Sequence, residues 1–427
     1  MKSKLAIKGG EPLIKNEFKK YISIGKEEKE AVAKVMDSGN LSQFVGAWGP
    51  DFLGGTTVKK FEKQCEEYFN VKHAVTVNSW TSGLIAALGA IDIQPGDEVI
   101  VTPWTMCASA TAILCWNAIP VFADINETDF CLDIGSIEKN ISANTKAIMC
   151  VDIFGISADM DKIIELAKKY GLKVISDTAQ APGALYKNKY AGTLADIGGY
   201  SLNYHKHIHT GEGGILVTDN DEYAKRLRLI RNHAEAVVGG MKEEYISNLI
   251  GYNFRLGEIE AAIGSEQLKK LNGFISKKQQ TSKLLTELLK NLKGLKTASI
   301  PDGRTHVYYT FPIILDVEML GVSRDKIVAA LKAEGIPGLV EGYANIHLLP
   351  MYQKKIAYGK QGFPWNSDIC KREVSYAKGI CPVAEELQDK TFVNFLTCHY
   401  DFGIDDIEII AAAFYKVWDN LDSLKDD

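Results

Sequence analysis

Hydrophobic and polar positions follow two kinds of pattern along the chain. Short β-branched runs predict strands, whereas apolar residues at three- and four-residue spacing among charges predict amphipathic helices. From residue 73 onward the two types follow one another in turn. The pattern predicts strands at 73–77, 97–102, 119–124, 145–152 and 172–177, and helices at 81–91, 105–117 and 160–171. Strands that alternate with helices indicate a mostly parallel sheet with helices on both faces.

The pattern changes on either side of this region. Helices are predicted at 25–39, 58–69, 221–234 and 256–292, and further strands at 197–202 and 213–219. The last part has strand composition at 305–316 and 392–399, and helical spacing at 323–335 and 405–421. We therefore expect an N-terminal region and a large α/β domain over residues 1–290, and a small C-terminal α+β domain over residues 291–427.

Composition narrows the classes of function. The chain has 427 residues, 46% of them hydrophobic and 24% charged, with a formal net charge of −5. It lacks the excess of basic residues that is typical of nucleic-acid-binding proteins. Neither a signal peptide nor an apolar run of membrane-spanning length is apparent. The eight cysteines form no C-x-x-C pair, which favours reduced thiols. We expect a cytoplasmic protein that binds small molecules, with no nucleic-acid or membrane partner.

The segment HKHIHTGEGG (205–214) suggests two different chemistries. On a strand, His205, His207 and His209 would share one face and could bind a metal ion, while Lys206 would point the other way. The glycines after residue 210 favour a loop over a rigid strand of ligands. We therefore expect no metal site, and we expect the histidines to line the mouth of a site or to pack at a dimer contact.

Three predicted strand ends carry polar groups at the carboxyl edge of the sheet, where ligands bind in open α/β sheets. VNSWTSGL (77–84) offers hydroxyl groups and helix N–H groups to an anion. VISDTAQAPGA (174–184) places Asp177 at the end of a buried strand, and SLNYHKHIHTGEGG (201–214) carries Lys206. An anion site, a carboxylate and an amine are the groups needed to hold pyridoxal 5′-phosphate by its phosphate, ring nitrogen and aldehyde.

The order of these motifs resembles the DegT/StrS family of sugar aminotransferases. The chain carries S-x-T-S-x-L, then D-x-A-Q, then S-x-x-x-x-K-x-x-x-x-G-E-G-G, and the similarity extends over nearly its whole length. The resemblance implies an α/β protein of the aspartate aminotransferase-like fold (fold type I), with a mostly parallel central sheet and pyridoxal 5′-phosphate as cofactor. It also implies a homodimer whose active sites are shared across the interface.

The resemblance assigns roles to single residues. It makes Lys206 the lysine that forms a Schiff base with the cofactor and Asp177 the partner of the pyridine nitrogen. Gln180 would approach the ring hydroxyl. Phosphate contacts would come from the backbone at Trp80 and Thr81, the side chains of Thr81 and Ser201, and Asn253 of a second protomer.

Departures from the family pattern concern the ring and the substrate. Family members commonly carry an aromatic residue that stacks on the ring where this chain has Met106, so stacking falls to Met106 or to nearby Trp104. Trp80 stands where family members usually have a small residue, just before the threonine expected to bind the phosphate. The residues expected to face the substrate are Asn203, where many relatives have histidine, together with His209, His347 and Tyr352. For His347 and Tyr352, packing at a domain interface is an equally good interpretation.

The resemblance implies a ping-pong transamination from glutamate or glutamine to a keto or aldehyde sugar. The acceptor would be a nucleotide-linked sugar, an inosose or an eight-carbon sugar acid, in cell-surface polysaccharide or amino-sugar biosynthesis. Three alternatives remain. One is a sugar dehydratase of the same fold, a branch in which histidine replaces the lysine, and another is a cofactor-binding regulator without turnover. The third is a zinc protein built on HKHIH.

Overall fold

The computed structural model describes residues 3–241 and 245–425, and the statements below concern these residues. In chain order the strands are β1 (His73–Val77), β2 (Glu98–Val101), β3 (Ile119–Phe122), β4 (Thr145–Val151), β5 (Lys173–Asp177), β6 (Leu185–Tyr186), β7 (Lys189–Tyr190), β8 (Ile197–Ser201), β9 (Gly214–Thr218), β10 (Leu295–Thr297), β11 (Phe311–Leu315), β12 (Leu339–Glu341) and β13 (Phe392–Phe395). The helices are α1 (Lys26–Ser38), α2 (Thr56–Phe69), α3 (Trp80–Ala90), α4 (Ala108–Cys115), α5 (Ile134–Asn140), α6 (Met160–Tyr170), α7 (Asp221–Arg231), α8 (Val238–Met241), α9 (Glu258–Leu289), α10 (Val317–Leu320), α11 (Arg324–Ala333), α12 (Pro350–Gln353), α13 (Pro382–Glu386) and α14 (Ile404–Trp418).

The central sheet contains seven of the described strands in the order β1-β9-β8-β5-β4-β2-β3. β9 runs antiparallel to both of its neighbours, and the other neighbouring pairs are parallel. The strands β2, β3 and β9 are buried along their whole length, as expected for a sheet covered on both faces. The predicted α/β class with a mostly parallel sheet is confirmed.

The strand directions bring several chain segments to one edge of this sheet. β1, β5 and β8 end there, and the antiparallel β9 begins there. The register shows this directly, because Gly214 at the start of β9 pairs with Val77 at the end of β1 and with Ser201 at the end of β8. The loop between Ser201 and Gly214 therefore lies beside the end of β5 and the start of α3.

A second, antiparallel sheet has the strand order β10-β11-β13-β12. Its hydrophobic cluster also includes Leu289 of α9 and, from the N-terminal segment, Leu5 and Ile14. Conversely, Tyr352 belongs to the cluster of the large sheet. The division into two domains at residue 290 stays a prediction. Residues before and after position 290 contribute to both of these hydrophobic clusters.

Several predicted elements are shorter in the structure. The strand expected at 305–316 covers only β11, because Tyr308 has a positive φ of 52° and Val307 donates its N–H to Gly155 rather than to a strand. The strand expected at 392–399 ends at Phe395, the last residue that β11 and β12 pair with. The helix expected at 105–117 is α4, which begins at Ala108. None of the helices within 3–241 and 245–425 combines the length and apolar character needed to cross a bilayer.

Candidate active site

A cavity of about 200 Å³ lies at the edge of the central sheet where β5 and β8 end. Its walls come from the start of α3, the start of α4, the segment after β5 and the loop between β8 and β9. Of the residues predicted from the sequence, those that line it are Trp80, Thr81, Met106, Asp177, Gln180, Ser201, Asn203 and Lys206. The fold thus brings together groups that are up to 126 residues apart in the chain, from Trp80 to Lys206.

Lys206 is buried in this cavity, with 8% of its surface exposed. Its Nζ lies 4.4 Å from the centre of the Tyr309 ring, and its backbone N–H donates to Asn203 within the loop. Burial lowers the pKa of Lys206 to about 8, while the charges of Asp177 and Cys398 act in the opposite direction. A larger share of the amine is therefore neutral near physiological pH than for an exposed lysine.

The carboxylate of Asp177 is buried and already accepts three hydrogen bonds. Oδ1 accepts from Nε1 of Trp80 at 2.7 Å and from the backbone N–H of Ala179 at 3.2 Å. Oδ2 accepts from Oγ of Ser109 at 2.7 Å. Because a carboxylate offers about four lone-pair sites, one acceptor position remains for a protonated ring nitrogen.

Gln180 is fixed by two hydrogen bonds of its amide. Oε1 accepts from the backbone N–H of Phe154 at 2.8 Å, and Nε2 donates to the hydroxyl of Tyr343 at 3.1 Å. Burial raises the pKa of Tyr343 to about 12, so this phenol stays protonated. One hydrogen of the Gln180 amide remains free to donate to a ligand oxygen.

The start of α3 forms the anion-binding part of the cavity. Ser79 caps the helix, since its Oγ accepts from the N–H of Ser82 at 3.1 Å. The N–H groups of Trp80 and Thr81 come before the first hydrogen bond inside the helix and lie at the positive end of its dipole. Oγ of Ser201 accepts from Asn203 at 3.3 Å, which leaves its proton to donate. Such a set of donors suits a phosphate group.

Asn203 and His205 form the side of the cavity expected to meet a substrate. Nδ2 of Asn203 donates to Glu212 at 2.9 Å, whereas its Oδ1 is buried without a hydrogen-bond partner among the described residues. A buried acceptor of this kind is satisfied when a donor group of a ligand binds. Burial lowers the pKa of His205 to about 4, so its imidazole is neutral at physiological pH.

The three alternating histidines are part of a loop and do not converge. Nε2 of His207 lies 2.8 Å from the carbonyl oxygen of Val307, and Nδ1 of His209 accepts from the N–H of Gly211 at 3.3 Å. In the part of the chain that the structure describes, no three His, Cys, Asp or Glu side chains are grouped to hold a metal ion. The geometric basis of the zinc hypothesis, one shared strand face, is therefore absent from this loop.

Four other candidates lie outside the lining of the cavity within this chain. His209 has the loop contact given above, and His347 is buried with Nε2 3.0 Å from Oε1 of Glu385. Tyr352 is packed edge-on against Phe122. The exposed Asn253 accepts from Arg255 through Oδ1. Its contact from a second protomer stays a prediction, as do the substrate contacts of the other three.

The structure separates the two candidates for ring stacking. Trp104 is fully buried, and its Nε1 donates to Oδ1 of Asn345 at 2.9 Å, outside the cavity lining. Met106 lines the cavity and is 61% exposed. Of the two, only the thioether of Met106 is placed to contact a ring bound there.

Ser109, Tyr309 and Tyr343 are among the residues of the site that were not predicted from the sequence. Ser109 is the second residue of α4, and a hydroxyl residue at the start of a helix that follows β2 is a signal that sequence analysis can find. Tyr309 and Tyr343 belong to the C-terminal part of the chain and reach Lys206 and Gln180 only through the tertiary fold. No local pattern marks them.

Comparison with known proteins agrees with this geometry. The DegT/DnrJ/EryC1/StrS aminotransferase family matches residues 23–392. GDP-perosamine synthase of Caulobacter vibrioides is 36% identical over 70% of this chain and 79% of its own length. L-glutamine:2-deoxy-scyllo-inosose aminotransferase of Streptomyces kanamyceticus is 29% identical over 97% of both chains. The X-ray structure of an aminotransferase from Psychrobacter cryohalolentis, 27% identical, superposes with a TM-score of 0.81 over 95% of this chain and all of that one.

The cavity fits the cofactor of this family. It supplies a buried amine, a carboxylate with one free acceptor position, and helix N–H groups for a phosphate, each found here independently of the comparison. The chain belongs to the DegT/DnrJ/EryC1/StrS family of sugar aminotransferases, which depend on pyridoxal 5′-phosphate.

Proposed function

We propose that this chain transfers the amino group of glutamate or glutamine to a keto or aldehyde sugar, with Lys206 as its catalytic lysine. The observation that carries the proposal is the burial of Lys206 in the same cavity as the hydrogen-bonded carboxylate of Asp177. An amine held at a lowered pKa beside such a carboxylate has a chemical use that a surface lysine lacks.

Each group of the cofactor has a candidate partner in the cavity. Asp177 would hold the pyridine nitrogen, and Gln180 would donate to the ring hydroxyl. The N–H groups at the start of α3 and the hydroxyls of Thr81 and Ser201 would hold the phosphate. Met106 would cover the ring.

When bound, pyridoxal 5′-phosphate joins the substrate nitrogen covalently and draws electron density away from the neighbouring carbon. Nζ of Lys206 would then act as general base and acid, taking a proton from the α-carbon of the donor and returning it to the cofactor carbon on the other side of the shared nitrogen. Asp177 keeps the ring nitrogen protonated through its negative charge. The burial of Lys206 excludes bulk water from the proton it carries.

The sugar is proposed as acceptor on the basis of the relatives and of the polar groups at the cavity. Asn203 offers an unsatisfied acceptor to a sugar hydroxyl, and Glu212 lies beside it in the lining. Nucleotide-linked sugars, inososes and eight-carbon sugar acids are the proposed acceptor classes. We place the reaction in cell-surface polysaccharide biosynthesis, including that of lipopolysaccharide, or in amino-sugar biosynthesis.

We also propose a homodimer in which Asn253 reaches the phosphate of the partner's site. The exposed Asn253 forms a backbone bridge with Asn232, and Asn232 in turn donates to the carbonyl of Val45. Val45 and Trp48 are apolar and exposed on this segment. Exposed apolar side chains on a segment linked to Asn253 in this way support a protein interface there.

A cytoplasmic location is proposed as well. All eight cysteines are free thiols in the structure, and five of them are buried: Cys65, Cys131, Cys150, Cys381 and Cys398. Reduced thiols are the rule in the cytosol.

Spectroscopy of the purified protein tests the function. The protein loaded with pyridoxal 5′-phosphate should show a visible absorbance band that glutamate or glutamine bleaches and that a keto sugar restores. Lys206→Ala should lose turnover by a factor of about 10³ or more, because general acid-base catalysis is lost. A band that neither donor changes, or a Lys206→Ala variant that still turns over, would contradict the proposal.

A further inference from the structure

Trp80 is the first residue of α3, and its ring is held deep in the site with 6% of its surface exposed. The indole lies against the backbone of Gly199 in β8 and of Gly83 in α3. A Cβ at Gly199 would come within 2.4 Å of ring atom Cζ3, and one at Gly83 within 2.8 Å of Cε3. Two positions without side chains therefore make room for this ring, and they leave it little freedom to turn.

The one polar atom of the ring points to Asp177. Nε1 donates to Oδ1 at 2.7 Å, a short distance for a hydrogen bond from nitrogen to a carboxylate. The indole N–H can only donate, so it occupies one acceptor position of Oδ1 and fixes where that oxygen lies. Ser109 makes the matching contact to Oδ2. The two donors together fix the rotation of the carboxylate.

We propose that Trp80 is a positioning residue for Asp177. Its N–H fixes the orientation of the carboxylate, so that the remaining acceptor position on Oδ2 meets the ring nitrogen of pyridoxal 5′-phosphate. The inference rests on the proposed function and deepens it, because it assigns the indole N–H a role in holding the cofactor that acts through Asp177.

The dissociation constant of pyridoxal 5′-phosphate is the quantity that tests this role. Trp80→Phe removes the N–H and keeps an aromatic ring, and we expect it to weaken cofactor binding by roughly tenfold or more, since a hydrogen bond to a buried charge is lost. Trp116→Phe is the matched control. Trp116 is 5% exposed and its Nε1 donates to the carbonyl of Ile85 at 2.8 Å, outside the cavity lining. This control should bind the cofactor as the wild type does.

A double-mutant cycle separates positioning from mere packing. If Trp80 acts through Asp177, adding Trp80→Phe to an Asp177→Asn variant should change the dissociation constant by less than about twofold. If the ring only fills space, the loss caused by Trp80→Phe will be the same in both backgrounds, and the inference is overturned.

A second variant keeps the test valid if Trp80→Phe does not fold. Benzothienylalanine at position 80 retains the shape of indole and replaces the N–H by sulfur, and it should show the same loss of affinity. If either variant at position 80 binds pyridoxal 5′-phosphate with wild-type affinity, the inference is overturned while the proposed function stands. The same holds if Trp116→Phe loses as much affinity as Trp80→Phe. A wild-type protein that takes up no pyridoxal 5′-phosphate would overturn the proposed function and the inference with it.

Discussion

Lys206 illustrates how a single side chain can be unfavourable for folding and necessary for chemistry. Burial withholds water from its ammonium group, and the nearby Tyr309 ring and Asp177 offset only part of that cost. The result is an amine whose pKa of about 8 lies close to physiological pH. An amine that loses its proton this readily can act as a nucleophile and as a base.

The rate of cofactor loading should therefore depend on pH. Only the neutral amine of Lys206 attacks the aldehyde, so we expect the rate at which cofactor-free protein takes up pyridoxal 5′-phosphate to fall roughly tenfold per pH unit below pH 8. Above pH 8 the rate should level off. Stopped-flow absorbance measures this rate. Pyridoxamine 5′-phosphate, which has no aldehyde, serves as control and should bind without this dependence. The range from about pH 6.5 to about pH 9 brackets the pKa of about 8. A loading rate that stays constant over this range would contradict the role of Lys206.

The phosphate contacts can be tested one residue at a time. Thr81→Ala and Ser201→Ala each remove a hydroxyl at the proposed phosphate site, and each should weaken binding of pyridoxal 5′-phosphate by roughly tenfold. Pyridoxal lacks the phosphate, so its affinity should be unchanged in both variants. Equilibrium dialysis with the two ligands provides the comparison. Equal losses for both ligands would place these hydroxyls away from the phosphate.

At the scale of elements, the site depends on where strands end and helices begin. β5 ends at Asp177 and β8 at Ser201, and α3 begins at Trp80 after β1. These ends meet at one edge because the three strands are parallel. The loop that carries Lys206 connects β8 to the antiparallel β9, whose first residue pairs back to Ser201. Both ends of the loop that carries Lys206 are therefore anchored to the sheet.

The long helix α9 contains a second buried lysine, which gives a test of stability. Burial lowers the pKa of Lys278 to about 8, and its Nζ donates to the carbonyl of Thr397 at 3.3 Å and lies 4.8 Å from the ring centre of Tyr21. We expect Lys278→Met to raise the free energy of unfolding at pH 7 by about 2 kcal/mol, because the cost of burying the charge is removed.

The sign of the pH effect follows from where the proton binds. The unfolded chain keeps the proton on Lys278 up to its usual pKa of 10.5, but the folded chain keeps it only to about pH 8. Between these two pH values the contribution of Lys278 to the free energy of unfolding of the wild type therefore rises. The gain in the free energy of unfolding from Lys278→Met should be fully present below pH 8 and should shrink as the pH rises above it. Lys277→Met, at an exposed neighbour, is the control. Urea unfolding that shows no difference between the two variants would contradict the prediction.

At the scale of the whole molecule, the packing of the two large sheets and the proposed dimer determine how the site is assembled. The second sheet contributes to the site through the segment just before β11, which carries Tyr309, and through Tyr343 after β12. A movement of this part against the large sheet would change the surroundings of both Lys206 and Gln180. Assembly of a complete site therefore involves most of the chain length.

Mixing two impaired variants, at a cofactor concentration too low to saturate Asn253→Ala, tests whether a site is shared between protomers. In a heterodimer of Lys206→Ala and Asn253→Ala chains, one site has both native residues if Asn253 serves the partner. Random exchange of subunits should then restore about a quarter of wild-type activity, well above the activity of either variant alone. If each Asn253 serves its own chain, mixing restores nothing, and the shared-site proposal fails. Native mass spectrometry of chains that carry different tags confirms that the heterodimer forms.

The sequence by itself determined the fold class, the cofactor chemistry and the groups at the strand ends. These features follow from local order: a hydrophobic strand, a polar residue at its end, and a helix start or glycine turn after it. Thr81, Asp177 and Ser201 each carry such a signal in their immediate neighbours, so the sheet edge on which they meet could be predicted.

Only the tertiary structure decided what surrounds these groups. It showed that the indole of Trp80 and the hydroxyl of Ser109 hold Asp177, that Tyr309 lies against Lys206, and that Trp104 is core while Met106 faces the cavity. It also showed where a histidine of the predicted loop lies, with Nε2 of His207 against the carbonyl oxygen of Val307. Contacts of this kind join residues far apart in the chain, and they depend on side-chain direction and packing, for which spacing along the sequence gives no signal.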